Sequence, residues 1–496
     1  MSGKVAVVGA GFGGLALAVR LQSAGIATTL IEARDKPGGR AYVWRDQGFT
    51  FDAGPTVITD PACIDELFAL SGRRRADYVE LLPVSPFYRL LWPDGGSFDY
   101  VNDQAGLDRQ IAAKNPADVE GYRRFLAFSE AVYDEGYKRL GHAPFLKITD
   151  MLAAAPQLMR LQAWRSVYDK VASYVQDDHL RQALSFHTLL VGGSPFAASS
   201  IYALIHALER DGGVWFAKGG THALVRGLAK LFEELGGRLI VSDPVGSIET
   251  EAGRVTGLIH ADGTFEAFDA VASNADLVHT YGELLGGDRR GRSMARRLKR
   301  RRFSPSLFVV HFGLKRAHPR LARHSILFGP RYKGLIDDIY SRPALADDFS
   351  LYLHAPTTTD PSLAPPGCST FYALSPVPHL GTANIDWDLE GPAYADRILE
   401  SLEARAIPGL RSDLVTRRIF TPKDFECELR AWQGSAFSLE PVLTQSAWFR
   451  AHNRDDVIGN LYFVGAGTHP GAGVPGVIGS AKATAGLMIE DLGGRT

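Results

Sequence analysis

Disulfide chemistry has little to work with in this chain. Among 496 residues only Cys63, Cys368 and Cys427 carry thiols, far apart and without CxxC spacing. That excludes a disulfide framework and a zinc knuckle, and reads as reduced intracellular thiols of structural use. Long apolar runs are missing too. No stretch approaches the roughly 18 residues of a spanning helix. The one early apolar run, Val5 to Val8, breaks at Gly9 with no cleavage pattern behind it, so no signal peptide is expected. The expectation is a cytosolic protein, attached at most to one membrane face. Nor is one sign of charge in excess: 54 Lys plus Arg against 55 Asp plus Glu leave a net charge of −1, which argues against binding polyanions with the whole surface. No basic and aromatic residues are arranged to read nucleic acid, so no nucleic-acid partner is expected. Internal repeats, low-complexity linkers, metal-ligand spacings, Ser-His-Asp patterns and paired carboxylates are also absent, and no metal site is expected.

The chain does have 45% hydrophobic residues, 22% charged residues and 52 glycines. By length it can fill two to three domains. Its glycines concentrate where they carry meaning. Val5-Ala6-Val7-Val8 is a β-run, Gly9-x-Gly11-x-x-Gly14 comes directly after it, and Leu15 to Ala24 has apolar residues at helical spacing. In a strand–turn–helix unit of this kind Gly9 permits the turn, Gly11 lets a pyrophosphate approach the backbone, and Gly14 lets helix pack on strand. Gly9, Ala10, Gly11, Gly13 and Gly14 are the expected cofactor-binding residues of the turn. A second β-run, Thr28 to Ile31, ends on Glu32, whose carboxylate is placed for a ribose diol.

The choice between NAD and FAD rests on the residues just beyond Glu32. That acid leads after five residues into Gly38-Gly39-Arg40, a second glycine turn with a cation. This arrangement resembles the FAD signature of the glutathione-reductase-like family that includes amine oxidases and carotenoid desaturases. The far C-terminus supplies a matching piece: Asn460 to Val464 reads as a strand, Gly465 to Gly476 as a glycine-rich turn, and Val477 to Leu487 as a helix. Gly465, Gly467, Val474, Pro475 and Gly476 are its candidate flavin-binding residues, because backbone N–H groups at a helix start favour negative charge on a reduced flavin ring. Gly54-Pro55-Thr56, at the end of an aromatic β-prone run, is a further backbone approach to the flavin or simply a hairpin end. Only one GxGxxG unit is present, so no separate NAD(P)H site is expected.

The fold class expected is α/β: a discontinuous Rossmann-like FAD-binding domain of the glutathione-reductase kind, with a mixed-sheet substrate domain and a helical insert. The FAD-binding domain takes residues 1–75, 214–280 and 455–496, and the substrate-binding domain residues 76–103 and 281–454. Residues 104–213 form a helical subdomain, a candidate for membrane association. Helical periodicity covers Val119 to Leu140, Ile148 to Leu161, Trp164 to Val175 and Ser200 to Leu208, and Pro392 to Ala406 in the substrate domain. Strands are expected at Ser306 to Leu314, Phe349 to His354 and Ser369 to Val377. The stretches from Leu239 to Ala272 suit a β-meander returning to the nucleotide-binding sheet.

The blocks DKPGGRAY, GFTFDAGPTVITDP, SIYALIHALER, SLYLHAP, PVPHLGTAN and VGAGTHPGAGVPGVIGSAKATAG resemble the bacterial phytoene desaturases over essentially the whole chain. The resemblance implies FAD as cofactor and dehydrogenation of phytoene through partly desaturated carotenes (ζ-carotene, neurosporene) to all-trans lycopene, with oxygen or a quinone taking the electrons. It also implies a peripheral position on the cytoplasmic side of the cell membrane, the Val245 backbone beside the adenosine, and Asp150 as a proton acceptor. Asp150 reads more readily as an acid at a helix N-terminus, and His469 as a residue satisfying its turn rather than as a base. Ala153 stands where close relatives can carry arginine. A polyene isomerase, a ketolase, a C30 desaturase and a non-catalytic lipid-binding escort protein remain open as alternatives. From Arg289 to Arg302 positive charge clusters in an otherwise neutral chain; it is either a solvated surface or a contact with anionic lipid, which such residues favour by ~1 kcal/mol each.

Overall fold

A computed structural model of the chain describes residues 3–493. Strand Lys4–Val8 is paired on one side with Ala27–Ile31 and on the other with Ala270–Ser273, all parallel. Arg238–Ile240 and Leu461–Phe463 complete a five-stranded parallel sheet at its two edges. Such a sheet is covered on both faces, which is why Val5 to Val8 is apolar without alternation. Helix Phe12–Ser23 is buried from Phe12 to Leu21 and packs against both Thr221–Glu234 and the C-terminal helix Val474–Leu492. The two ends of the chain therefore share one core.

The strands Ser247–Glu251, Arg254–Ile259 and Phe265–Ala267 form the expected meander, but as an antiparallel sheet of their own. Of the stretch from Leu239 to Ala272, the two ends, in strands Arg238–Ile240 and Ala270–Ser273, belong to the parallel sheet. The register explains this: the meander's turns at Gly253 and Gly263 close antiparallel pairs, whereas joining the parallel sheet requires a crossover.

A seven-stranded mixed sheet forms the second body. It runs in the order Leu414–Phe420, Ser306–Leu314, Ser369–Val377, Leu351–His354, His324–Leu327, Tyr88–Leu91 and Ser97–Tyr100, with the His324–Leu327/Tyr88–Leu91 pair the parallel one. Its period-2 alternation sorts the two faces. Phe308, Val310 and Phe312 pack beneath helix Trp387–Arg405, while Leu307 and Val309 face a cavity. That helix begins five residues before the expected Pro392, with the Asp386 side chain accepting from the Asp388 N–H (3.1 Å).

Between these bodies lie helices, including Gln104–Lys114, Asp118–Tyr133, Ile148–Arg160, Val167–Ala172, Asp178–Ser185 and Leu204–Gly212. The expected single helix to Leu140 continues past Tyr133 only as a wider π-turn, Asp134–Arg139, whose Gly136 and Tyr137 reach the cavity wall. Among the described residues no helix is long and apolar enough to cross a membrane, and no cluster of His, Cys, Asp and Glu has metal-binding geometry.

Candidate active site

One cavity of about 930 Å3 runs from the tip of the parallel sheet to the mixed sheet. Its first end is mostly backbone. Gly9 has φ +93°, a left-handed conformation that glycine adopts without steric cost. A Cβ on Gly14 would lie 2.0 Å from the Gly9 carbonyl, and one on Gly13 would lie 2.6 Å from Asn274 Oδ1 and 3.1 Å from Gly465 Cα. So Gly14 allows helix to meet strand, and Gly13 and Gly465 allow the two ends of the chain to meet. Gly9, Gly11 and Gly13 line the cavity; Ala10 and Gly14 stand behind them.

Glu32 is buried at the strand end, its carboxylate accepting from Ala10 N–H (2.8 Å) and Arg34 N–H (3.0 Å). Burial pushes its pKa up against those two hydrogen bonds and the Arg34 charge. A group that donates hydroxyls, as a ribose diol does, would offset that cost. Gly38 donates to Ala10 O (2.8 Å), and Gly38, Gly39 and Arg40 all line the cavity. Arg40 anchors itself to the second body: its Nε donates to Ala436 O at 2.6 Å.

Gly54, Pro55 and Thr56 lie on the wall where the first end passes into the second, just after the hairpin Val43–Asp46/Phe49–Asp52. The Thr56 hydroxyl bonds to the Tyr372 (2.7 Å) and Tyr352 (3.0 Å) hydroxyls. Val245 lines the first end beside Asp243 and Pro244.

The C-terminal helix starts at Val474, three residues earlier than expected, with Pro475 in its first turn. Gly473 has no side chain to cap it, so Val474 and Gly476 present N–H groups at a bare helix N-terminus on the wall. Gly476 is glycine because a Cβ would lie 2.8 Å from Gly471 O. Gly465 and Gly467 are not on the wall; a Cβ on Gly467 would strike Leu277 at 2.7 Å, so both serve packing.

Two expectations about proton transfer change on the structure. Asp150 does not line the cavity; its carboxylate accepts the Lys147 N–H (3.0 Å) at the start of helix Ile148–Arg160. It is spent on the helix N-terminus, as its place in the first turn favours. His469 does line the cavity, but its Nε2 donates to Leu140 O (2.8 Å), and burial brings its pKa down to about 4, so the ring is neutral.

Sequence reasoning missed Asn274 and Asp276. Asn274 Nδ2 donates to Gly9 O (3.2 Å), clasping the glycine turn from the neighbouring strand. Asp276 caps the next turn through Val278 N–H (2.8 Å), while its Oδ2 has no partner and the residue faces the cavity. The available signal was the polar run Ser273-Asn274-Ala275-Asp276 directly after a buried strand, where a parallel sheet places ligand contacts.

The left-handed glycine turn, the buried acceptor Glu32, the orphan Asp276 Oδ2 and the bare helix start together fit an extended dinucleotide that ends in an anion-stabilised ring. The chain matches the family described as flavin containing amine oxidoreductase over residues 12–489, and it belongs to that family. Its cofactor is FAD. The chain is 65% identical over 486 residues to the lycopene-forming phytoene desaturase of Paracoccus sp. (strain N81106 / MBIC 01143), covering 98% of this chain and 97% of that one. It is 64% identical to the lycopene-forming phytoene desaturase of Pantoea ananas (98% and 99% covered) and 42% identical to the neurosporene-forming phytoene desaturase of Rhodobacter capsulatus (99% and 94% covered). Among solved structures, cyclohexylamine oxidase from Brevibacterium oxydans IH-35A superposes with a TM-score of 0.65 at 16% identity over 99% of this chain and all of that one. Wild-type putrescine oxidase does so at 0.64, over 99% of each chain. These structures share the fold.

Proposed function

We infer that the chain is an FAD-dependent phytoene desaturase that forms lycopene through ζ-carotene and neurosporene. The observation that carries this is 64–65% identity, over nearly the full chain, to proteins of that activity. The cavity suits such a substrate. Beyond Thr56 its walls are Phe186, Leu189, Phe328, Leu335 and Ile336, which offer an acyclic hydrocarbon shape and dispersion contact. When bound, FAD supplies the two-electron hydride acceptor. The chain's share is to hold a hydrocarbon without polar handles against that acceptor, through positioning by the walls. Incubating FAD-loaded protein with phytoene in liposomes, with oxygen or a quinone and without NADP+, should yield lycopene by absorption and mass. An unchanged hydrogen count would identify an isomerase, added oxygen a ketolase, and strict NADP+ dependence would overturn the reading.

The same reading puts the protein on the cytoplasmic face of the membrane, where phytoene dissolves. Two features support it. The basic residues from Arg289 to Arg302 are all solvent-facing. Helix Ile148–Arg160 turns Met151 and Leu158 into the cavity and leaves Leu152 (64%) and Met159 (60%) exposed, near Trp164 (56%) in sequence. An amphipathic helix that forms both cavity wall and outer surface suits a hydrocarbon arriving from lipid. Replacing Arg296, Arg297, Arg300 and Arg301 by glutamine should remove the salt-sensitive part of liposome binding. Leu152→Glu with Met159→Glu should remove the part that persists at high salt. Binding unchanged by either set would refute the membrane position.

A further inference from the structure

The block Ser200-Ile-Tyr-Ala-Leu-Ile-His-Ala-Leu-Glu-Arg210 leaves one residue without a use. Glu209, in helix Leu204–Gly212, has 0% exposure and yet belongs to the wall of the cavity's hydrocarbon end. Its Oε1 accepts the Tyr88 hydroxyl at 2.6 Å. Its Oε2 lies 3.1 Å from His187 Nε2, but the two are not aligned as a hydrogen bond, and Oε2 has no partner. Among the described residues no Lys or Arg pairs with Glu209. The neighbouring Arg210 turns instead to Gln104 (3.0 Å). The other carboxylates on the cavity wall, Glu32, Asp243, Asp276, Glu283 and Glu428, belong to the dinucleotide end or its rim.

Burying a carboxylate without a cation is costly, and this one is held tightly. The C-terminal end of its helix packs on the segment just after Thr56: a Cβ on Gly212 would lie 2.2 Å from Thr59 O. Tyr88 sits edge-on to Phe186, with ring centroids 5.3 Å apart. Burial, then the Glu209 charge, raises the Tyr88 pKa well above its ordinary value, so the phenol stays a donor.

We propose that Glu209 is the counter-charge for the hydrocarbon cation formed during dehydrogenation, a positioning residue that acts through the field it sets across the cavity. The proposal rests on the desaturase reading. In the step concerned, an allylic C–H bond breaks with its electron pair, the hydride passes to the bound flavin, and one positive charge remains on the hydrocarbon. A C–H bond on the adjacent carbon then breaks, its pair becomes the new π bond, and its proton passes to solvent. A hydrocarbon brings no counter-ion of its own, so a fixed carboxylate in an apolar wall lowers the barrier to the first event. At an effective dielectric near 20 and a separation of several ångström the gain is on the order of 100-fold.

The titratable groups facing Glu209 are Tyr88, Tyr100 and His187, with His206 one turn back on its own helix and Tyr122 bonded to His206 (3.1 Å). His206 is held neutral chiefly by burial, which takes its pKa well below the ordinary value.

The test is anaerobic bleaching of bound flavin by phytoene in liposomes, monitored from pH 5 to 9. Glu209→Gln should bleach at least tenfold more slowly across that range, with flavin absorbance and melting temperature unchanged; Glu209→Asp should restore part of the rate. Bleaching of Glu209→Gln within threefold of wild type overturns the proposal. Should that variant fail to hold flavin, Tyr88→Phe decides. Losing the hydrogen bond that fixes Oε1 should slow bleaching at least threefold with flavin absorbance unchanged, and an unchanged rate overturns the proposal. Wild-type flavin that phytoene does not bleach at any pH would instead overturn the desaturase reading.

Discussion

At the dinucleotide end of the cavity the walls are largely main chain: Gly9, Gly11 and Gly13, the Gly38-Gly39 turn, and the bare start of the last helix. At the hydrocarbon end they are side chains, contributed by the mixed sheet and the helices around it. The first end recognises a ligand rich in charge and hydroxyls, so it needs N–H groups, one acceptor carboxylate and room for close approach. The second recognises a ligand with neither, and only shape and an uncompensated charge can act on it. An added methyl is therefore intolerable at the first end, whereas a lost methylene is tolerable at the second.

Substitution at Gly14 gives the largest expected effect. Gly14→Ala puts a Cβ at 2.0 Å from the Gly9 carbonyl oxygen, which is main chain and cannot swing aside. Flavin absorbance of the purified variant should fall to background; a yellow, folded Gly14→Ala protein would show that the turn is less rigid than its geometry.

Acid comes next. Burial lowers the pKa of His469, at the flavin end, to about 4, and that of His311, in the mixed sheet, to about 3. A histidine whose folded pKa lies below its unfolded value near 6.5 takes up its proton in the unfolded chain first. Its stabilising share is therefore complete above pH 6.5 and is lost as pH falls toward the folded value, on the order of 3 kcal/mol per group. The melting temperature should decline from pH 6.5 down to 4, and less steeply in His469→Gln. A flat profile would mean that both rings reach solvent.

Glu32→Ala removes an acceptor whose hydrogen bonds, as those of a charged group, are worth about 1.5–3 kcal/mol each. FAD affinity by fluorescence titration should drop 10- to 100-fold, with the fold kept. A change below threefold would move the ribose contact to another residue.

Met151→Ala, on the hydrocarbon wall, should be the mildest. Flavin affinity should stay within twofold, and the apparent KM for liposomal phytoene should rise a few-fold. An equal loss in both would mean that the two ends are not separable.

Legibility divides along the same line. The glycine turns, Glu32 and the Arg40 turn could be read because each is defined by neighbours in sequence, and a strand–turn–helix unit has few ways to fold. Asn274 and Asp276 escaped because their work, clasping Gly9 and leaving one oxygen free, appears only when strand Ala270–Ser273 lies beside Lys4–Val8. The mixed sheet's strands were visible as apolar runs, but which face met the cavity was not. Alternation labels two faces without saying which neighbour each will have.

By itself the sequence determined the dinucleotide turn, the C-terminal glycine turn and the apolar character of the substrate region, since composition and short-range spacing suffice for steric permission and for burial in general. Tertiary structure alone decided that Gly13 and Gly465 would touch, that Asp150 would spend its charge on a helix start, and that Glu209 would lie buried against Tyr88, 121 residues away in the chain. The reason is physical: an ionisable group's role depends on its desolvation and on the partners left to it. Both are set by whatever packs around it, and those groups come from anywhere in the chain.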